Sequence, residues 1–362
     1  MRHMRRYRIA ASLLAAAACA TSTAAAEPNG FDRGEPVPAS MPVGRDKGNP
    51  LYDMPDGQTL ISAFGERPVF SPDGKKIAFI GRSYGDAFEY DIASGAIRNL
   101  TAHAPHNGFL RVQYLSDGSY VLLGPRLPAK TREETRFSRI ELFWMEKTAA
   151  QPPVPLGAFV FEGVATSPRS NLVGWSEIAL DPANPGAAST TIFTARVVTD
   201  GGQPRLVERR KILATSDCLV EAQDFIPGDR ALTMPCYGYE KSRDNPSTQV
   251  LSVDLATSKV TRYPTPSQLY SEVEGIFPDG RKTLVECADN RNHGMDLCVL
   301  DLDPARPRYT RMTNIVRYGG YKYGNPTVHP GGKLIAAQIG SADVIDAGVG
   351  EGIVLMKLKP GF

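Results

Sequence analysis

Apolar residues along this chain come in short runs punctuated by Gly, Pro, Asp, Asn and Ser, and no stretch keeps a long 3.6-residue period. That pattern predicts strands and turns with few helices. The clearest unit is Phe70-Ser71-Pro72-Asp73-Gly74-Lys75-Lys76-Ile77-Ala78-Phe79, a strand, a tight turn and a strand. Pro72 presets φ, Asp73 bonds its own backbone, and Gly74 supplies the positive φ that closes such a turn. The unit returns at Leu115-Ser116-Asp117-Gly118, Ser167-Pro168-Arg169-Ser170, Ile226-Pro227-Gly228-Asp229, Phe277-Pro278-Asp279-Gly280 and His329-Pro330-Gly331-Gly332. At the second turn position the spacings are 44, 52, 59, 51 and 52 residues. Repeats of this size predict an all-β, six-bladed β-propeller with four-stranded blades.

Each copy continues alike. A second strand follows the turn, as at Lys282 to Cys287 or Leu334 to Gln338. After a variable loop comes a third strand, such as Glu89-Tyr90-Asp91-Ile92, Ser252-Val253-Asp254-Leu255 or Val299-Leu300-Asp301-Leu302-Asp303. A short fourth strand ends the blade, as at Ala96 to Thr101 and Arg308 to Thr313. The last copy stops at its third strand, Gly352 to Lys359, and Gln58 to Ser62 is the candidate for its missing fourth. Pairing there would close the ring and leave no end blade with a bare strand edge. The segment FSPDGKKIAF with its tail YDIASGAIRNLT resembles the WD-like repeat of TolB and its relatives. The first and fifth copies match it well, and the other four are degenerate at the turn. The resemblance covers the chain from about Gly57 and implies the fold without an activity, because one fold hosts many functions.

Composition changes the picture at the N-terminus. Residues 1–26 carry Arg2, Arg5, Arg6 and Arg8, then an apolar run from Ile9 to Ala18, then Ala24-Ala25-Ala26 before Glu27. This is the layout of a secretory signal peptide cleaved after Ala26. A lipoprotein acylated at Cys19 is the less favoured alternative, because the flank Ala16-Ala17-Ala18 lacks the usual leucine. Residues 27–50 read as a loose leader and 51–362 as one propeller domain. The whole chain has 41 Lys+Arg against 39 Asp+Glu; without the four signal arginines the balance is 37 against 39, a net charge of −2. No basic face emerges, so nucleic acid is not expected as a partner. No transmembrane segment is expected either, nor a cofactor, and the chain is expected to be a monomer. Four cysteines follow the signal, and an exported chain with an even number suggests disulfides. Of the possible connectivities, Cys218–Cys236 and Cys287–Cys298 are favoured, because each pair falls on neighbouring strands of one predicted blade.

Propeller geometry sorts the loops. The Ser-Pro-Asp-Gly-type turns share one face, and the loops between second and third strands share the other with the crossings between blades. By resemblance, ligands bind at that second face and the channel mouth. It carries Arg82, Ser83, Tyr84 and Asp86 from blade 1, and His103, His106 and Asn107 from the crossing into blade 2. Blade 2 adds Arg126, Lys130, Arg132, Glu133, Glu134 and Arg136; blade 4 adds Tyr237 and blade 5 Arg291 and His293; the crossing into blade 6 adds Tyr321, Lys322 and Tyr323. Tyr and Arg together suit sugar or carboxylate recognition through ring faces and bidentate donors. The expected ligand set is therefore Arg82, His103, His106, Arg126, Tyr237, Arg291, His293, Tyr321, Lys322 and Tyr323.

Sharper motifs do not hold. Gly81-Arg82-Ser83-Tyr84-Gly85 matches the G-x-S-x-G nucleophile pattern, which needs a strand–elbow–helix context absent here. Oligogalacturonate lyase propellers hold a metal with a His cluster, but His103 and His106 precede blade 2 while His293 belongs to blade 5. No metal is expected. His329 sits in a turn on the other face and reads as structural, and Trp144 and Trp175 read as core. Two functions fit. The first is a periplasmic binding or scaffold propeller for a protein or envelope component. The alternative is a lyase or hydrolase acting on an acidic oligosaccharide, with Lys322 or Arg291 as the cation and His106 or Tyr321 as the base.

Overall fold

A computed structural model describes residues 47–180, 188–238, 247–267, 269–289, 294–342 and 350–358. The repeats fold into six antiparallel sheets around a central channel. Blade 1 is Glu66–Phe70, Lys76–Ile80, Ala87–Asp91 and Ile97–Asn99, from the channel outward. Blade 2 is Arg111–Tyr114, Tyr120–Pro125, Ile140–Met145 and Val154–Phe159. Blade 3 is Val164–Thr166, Leu172–Leu180, Ala188–Asp200 and Gln203–Thr215. In blade 4 the inner strand is broken into Leu219–Val220 and Asp224–Ile226, followed by Ala231–Gly238, Ser247–Asp254 and Val260–Tyr263. Blade 5 is Tyr270–Ile276, Lys282–Ala288, Asp296–Asp301 and Tyr309–Arg311. Blade 6 is Tyr321–Val328, Leu334–Ser341 and Gly352–Lys357, and its outer strand is Gln58–Ser62 from the other end of the sequence.

That closure is an antiparallel pairing in which Gln58, Thr59 and Leu60 face Met356, Leu355 and Val354. The Tyr323 hydroxyl donates to Gln58 Oε1, which fixes the register from inside the blade. On the turn face, His329 of blade 6 accepts from Gly331 N at 2.8 Å and its Nε2 lies 3.1 Å from Gly74 O of blade 1. The turns at the ring's junction are thus clipped to one another. At the opposite face two threonines tie the exit of a fourth strand to the third strand of the same blade. The hydroxyl of Thr101 accepts from Ala87 N and donates to Asp86, and Thr313 does the same for Leu297 N and Asp296.

The apolar core lies between blades. One cluster runs from Val250 in blade 4 through Val285 and Leu297 in blade 5 to Ile339 and Val354 in blade 6. Trp175 is fully buried against residues of blades 2 and 3, and Trp144 is half-buried with its indole N–H on Ser119 Oγ at 3.1 Å. Disulfides link Cys218 to Cys236 and Cys287 to Cys298, within blades 4 and 5. One element was not expected. The long loop of blade 2 contains helix α1, Arg132–Ser138, with Thr131 as its N-cap accepting from Glu134 N at 3.0 Å. Thr131-Arg132-Glu133-Glu134 has the S/T-x-x-E spacing of a capping box, so the helix start was legible in the sequence.

Candidate functional site

A cavity of about 540 Å³ opens at the channel mouth on the face that carries the loops between second and third strands. Blade 1 supplies Arg82, Ser83 and Tyr84, the crossing into blade 2 supplies Asn107, and the α1 loop supplies Pro128 to Arg132 and Thr135. Gly350 closes the blade 6 side, and Glu66, at the head of blade 1's inner strand, completes the lining.

The blade 1 wall is held by backbone fit. Tyr84 has a φ of 61°, its N–H donates to Phe109 O at 2.8 Å, and Phe109 N returns a bond to Gly85 O at 2.8 Å. A Cβ on Gly108 would lie 2.0 Å from Tyr84 O, so only glycine permits this approach. Across the cavity, the Tyr84 hydroxyl donates to Arg132 O at 3.3 Å, and the Arg132 guanidinium sits 5.6 Å from the Tyr84 ring centre. These contacts join the blade 1 loop to the α1 loop.

The charge distribution is one-sided at the rim. Arg82, Lys130 and Arg132 are exposed, and none has an acidic partner within 4 Å among the described residues. Below them Glu66 is buried, and it accepts from both the backbone N–H and the hydroxyl of Ser83. Burial raises its pKa above the ordinary carboxylate value, against the opposing pull of Arg67 and the Ser83 bonds. The cavity therefore has positive charge at its rim and a buried carboxyl of raised pKa beneath.

Of the expected ligand residues, Arg82 lines this cavity. His103 is exposed. His106 is engaged in the framework: its Nδ1 accepts from Gly108 N at 2.9 Å, so Nε2 carries the proton and donates to Asp86 Oδ1 at 2.9 Å. Arg126 forms a bidentate pair with Glu141 at 2.7–2.9 Å. Tyr237 is buried and its hydroxyl donates to Glu272. Tyr323 and Lys322 are buried, while Tyr321 is half-buried. Arg291 and His293 lie outside the described residues. No group of three His, Cys, Asp or Glu residues among the described ones is placed to hold a metal ion. Ser83 sits in a loop between two strands and bonds Glu66, with no helix after it.

A polar channel beneath the cavity escaped the sequence reading. Its wall includes Arg111 from blade 2, Glu221 and Asp224 from blade 4, and Glu272 and Glu274 from blade 5, all buried except the half-buried Asp224. Arg111 Nη2 lies 3.5 Å from Glu274 Oε1, and Asn325 Nδ2 donates to the same oxygen at 2.9 Å. Burial first, then the neighbouring Glu272, pushes Glu221 up to about 8. Burial likewise pushes Glu274 up to about 7 against the pull of Arg111. The legible trace was a charged residue at alternate positions of an inner strand, as in Glu272-Val273-Glu274, where an apolar core would hold none.

These six closed blades define the class of the protein: it is a six-bladed β-propeller. Comparison with solved structures agrees on the fold. The Cps50 (Swd1) β-propeller domain of Myceliophteria thermophila superposes with a TM-score of 0.51 at 11% identity, covering 82% of this chain and 98% of that one. An oligogalacturonate lyase of Vibrio parahaemolyticus gives 0.46 at 10% identity, with 84% and 94% covered. TolB of Acinetobacter baumannii gives 0.42 at 16% identity, with 81% and 67% covered. No protein-family model and no curated protein matches the sequence.

Proposed function

We propose that this chain is an exported binding propeller that receives a carboxylate-bearing segment of an envelope protein in the mouth cavity between blades 1 and 2. The observation that carries this reading is the set of cations, Arg82, Lys130 and Arg132, arranged around one concavity with no acidic partner among the described residues. Unpaired guanidinium groups beside an aromatic ring favour carboxylates through bidentate bonds and stacking. Export rests on the signal-like segment 1–26 and agrees with the two disulfides, which form and persist in oxidising compartments. Among the described residues no helix is long and apolar enough to cross a membrane.

A second reading has its own support in Glu66. A buried carboxyl with a raised pKa, beneath cations, is the pairing that proton abstraction beside a uronate carboxylate needs. In that reading the chain cleaves an acidic oligosaccharide, and Glu66 moves the proton.

Calorimetric titration of the oxidised mature protein with acidic peptides and with oligogalacturonate separates the two. The binding reading expects micromolar peptide affinity that weakens with salt. The double variant Arg82→Ala/Arg132→Ala should reduce that affinity at least tenfold. Equal affinity in that variant would overturn the assignment of the cavity. Release of unsaturated sugar product by the wild type, lost in Glu66→Gln, would establish the enzyme reading in its place.

A further inference from the structure

The segment His106-Asn107-Gly108-Phe109 is wedged between the two walls of the mouth cavity. Gly108 touches both sides: a Cβ on it would lie 2.0 Å from Tyr84 O, and a Cβ on Gly124 of blade 2 would lie 2.5 Å from Gly108 O. Asn107 lines the cavity, and its Nδ2 donates to Arg126 O at 2.6 Å, where the loop that carries α1 begins. Phe109 exchanges backbone bonds with Tyr84 and Gly85, each at 2.8 Å. Consecutive residues of one short segment thus set the Tyr84 wall against the α1 loop.

One imidazole holds this segment in place. His106 is half-buried, with its ring 4.8 Å from the Phe109 ring. A backbone N–H can only donate, so the 2.9 Å bond from Gly108 N requires Nδ1 without a proton. Among the described residues Asp86 is the one charged group in contact with the ring, and its Oδ1 accepts from Nε2 at 2.9 Å and from the Thr101 hydroxyl at 2.8 Å. Burial pushes Asp86 up, but the bonds from Thr101, His106 and Asn99 outweigh it and hold the carboxyl below its ordinary value. Asp86 therefore stays ionised in mild acid and keeps its bond to Nε2. Charging the imidazole adds a proton to Nδ1, so two donors face each other where Gly108 N–H had an acceptor. The Asp86 bond keeps the ring from turning away, and the strain falls on Gly108. Histidine ordinarily changes charge between about pH 5 and 8. We propose that His106 is a protonation latch for the mouth cavity. Neutral, it anchors Gly108 and so fixes both walls; charged, it releases Gly108 and weakens carboxylate binding, an effect that rests on the binding role given to that cavity.

The test uses the full mature chain with its disulfides intact, and its first measurement needs no ligand. Amide hydrogen exchange at Gly108, corrected for its intrinsic pH dependence, is compared at about pH 7.5 and about pH 5.5. Protection in the wild type should fall roughly tenfold in acid, the scale of one lost hydrogen bond. In His106→Asn the side-chain oxygen replaces Nδ1 as acceptor without titrating, so protection should stay level. The second measurement is calorimetric titration with an oligo-aspartate peptide at both pH values and constant ionic strength. Affinity should fall by a similar factor in the wild type and stay level in the variant. Unchanged Gly108 protection in the wild type would overturn the latch, and it decides the matter even if His106→Asn fails to fold. An equal loss of peptide affinity in both proteins would also overturn it and assign the pH effect to Glu66. Peptide that binds at neither pH, with Gly108 protection falling in acid, would sink the binding role of the cavity and leave the latch standing as a switch of its walls.

Discussion

Glu89 holds the seam between blades 1 and 2. It sits on the third strand of blade 1, is 5% exposed, and accepts from the Tyr114 and Tyr120 hydroxyls of blade 2 at 2.8 and 2.6 Å. Lys76 and Arg98 of its own blade reach its other oxygen at 2.9 and 3.1 Å. Burial pushes the carboxyl up, but the bonds from Tyr120, Lys76 and Tyr114 outweigh it, so the folded pKa lies below the ordinary 4.5. Its contribution is therefore complete above that value and is lost as the pH falls through the lowered folded pKa. Glu89→Gln should cost roughly 1–3 kcal/mol at pH 7 in urea unfolding, and the difference from wild type should shrink at acid pH. A variant as stable as wild type at pH 7 would remove Glu89 from this role. Glu221 and Glu274 act in the opposite sense. Their raised pKa values mean that the folded state holds protons the unfolded state has released, so their contribution falls as the pH rises from about 4.5 through 7 and 8. Replacing both with Gln should flatten the stability profile between pH 5 and 8. Sequence marked Glu89 only as part of a strand, because the tyrosines that explain it come from the next repeat.

At the scale of elements, the turn repeat was the most legible feature because its chemistry is local. Pro, Asp and Gly act on their own backbone, so FSPDGKK reads as a turn without any knowledge of the fold. The degenerate copies use contacts that the local pattern cannot show. Asp229, at the end of the blade 4 turn, accepts from the Ser167 and Ser170 hydroxyls of the blade 3 turn at 2.9 and 3.0 Å. Asn171 of blade 3 likewise donates to Asp117 of blade 2 at 2.6 Å. Asp117 still closes its own turn, its Oδ1 accepting from Ser119 N at 2.9 Å, while its Oδ2 and the Asp229 carboxylate each clip a neighbouring blade's turn. Gly74 shows the same coupling: a Cβ there would lie 2.2 Å from His329 Nε2, and its φ is 70°. Gly74→Ala should destabilise by about 2 kcal/mol or more through strain and the displaced His329, and thermal melting measures it. The closing strand makes the larger prediction. Deleting residues 51–63 removes the outer strand of blade 6 and bares the Gly352–Lys357 edge, so the melting temperature should fall for the whole ring in a single transition. Unchanged melting would show that the pairing of Gln58 with Met356 contributes nothing to closure.

For the whole molecule, blade count, ring closure and both disulfides were legible because they follow from repeat length and strand adjacency. Each disulfide ties neighbouring strands within one blade, closing spans of 18 and 11 residues. Reduction should lower the stability by roughly 2–4 kcal/mol per bridge, seen as a lower melting midpoint in dithiothreitol. The site was legible only as a face. Arg82, Ser83, Tyr84, Asn107, Lys130 and Arg132 were placed there by loop counting, and the structure gathers them around one cavity. Which face residues converge depended on α1 folding the blade 2 loop back toward Tyr84, and on framework partners such as Asp86 and Glu141 engaging His106 and Arg126. Glu66 was hidden because it lies on an inner strand, a position the loop argument does not reach.

We propose that this propeller meets its partner at the cavity between blades 1 and 2. A photocrosslinking amino acid placed at Asn107, an exposed residue of the cavity lining, tests it in the living cell, with the same group at Glu208 on the exposed outer strand of blade 3 as the control. A discrete adduct is expected from Asn107, absent from Glu208 and lost when Arg82 and Arg132 are both replaced by Ala. Equal adducts from both positions, or an Asn107 adduct indifferent to the loss of those two arginines, would contradict it.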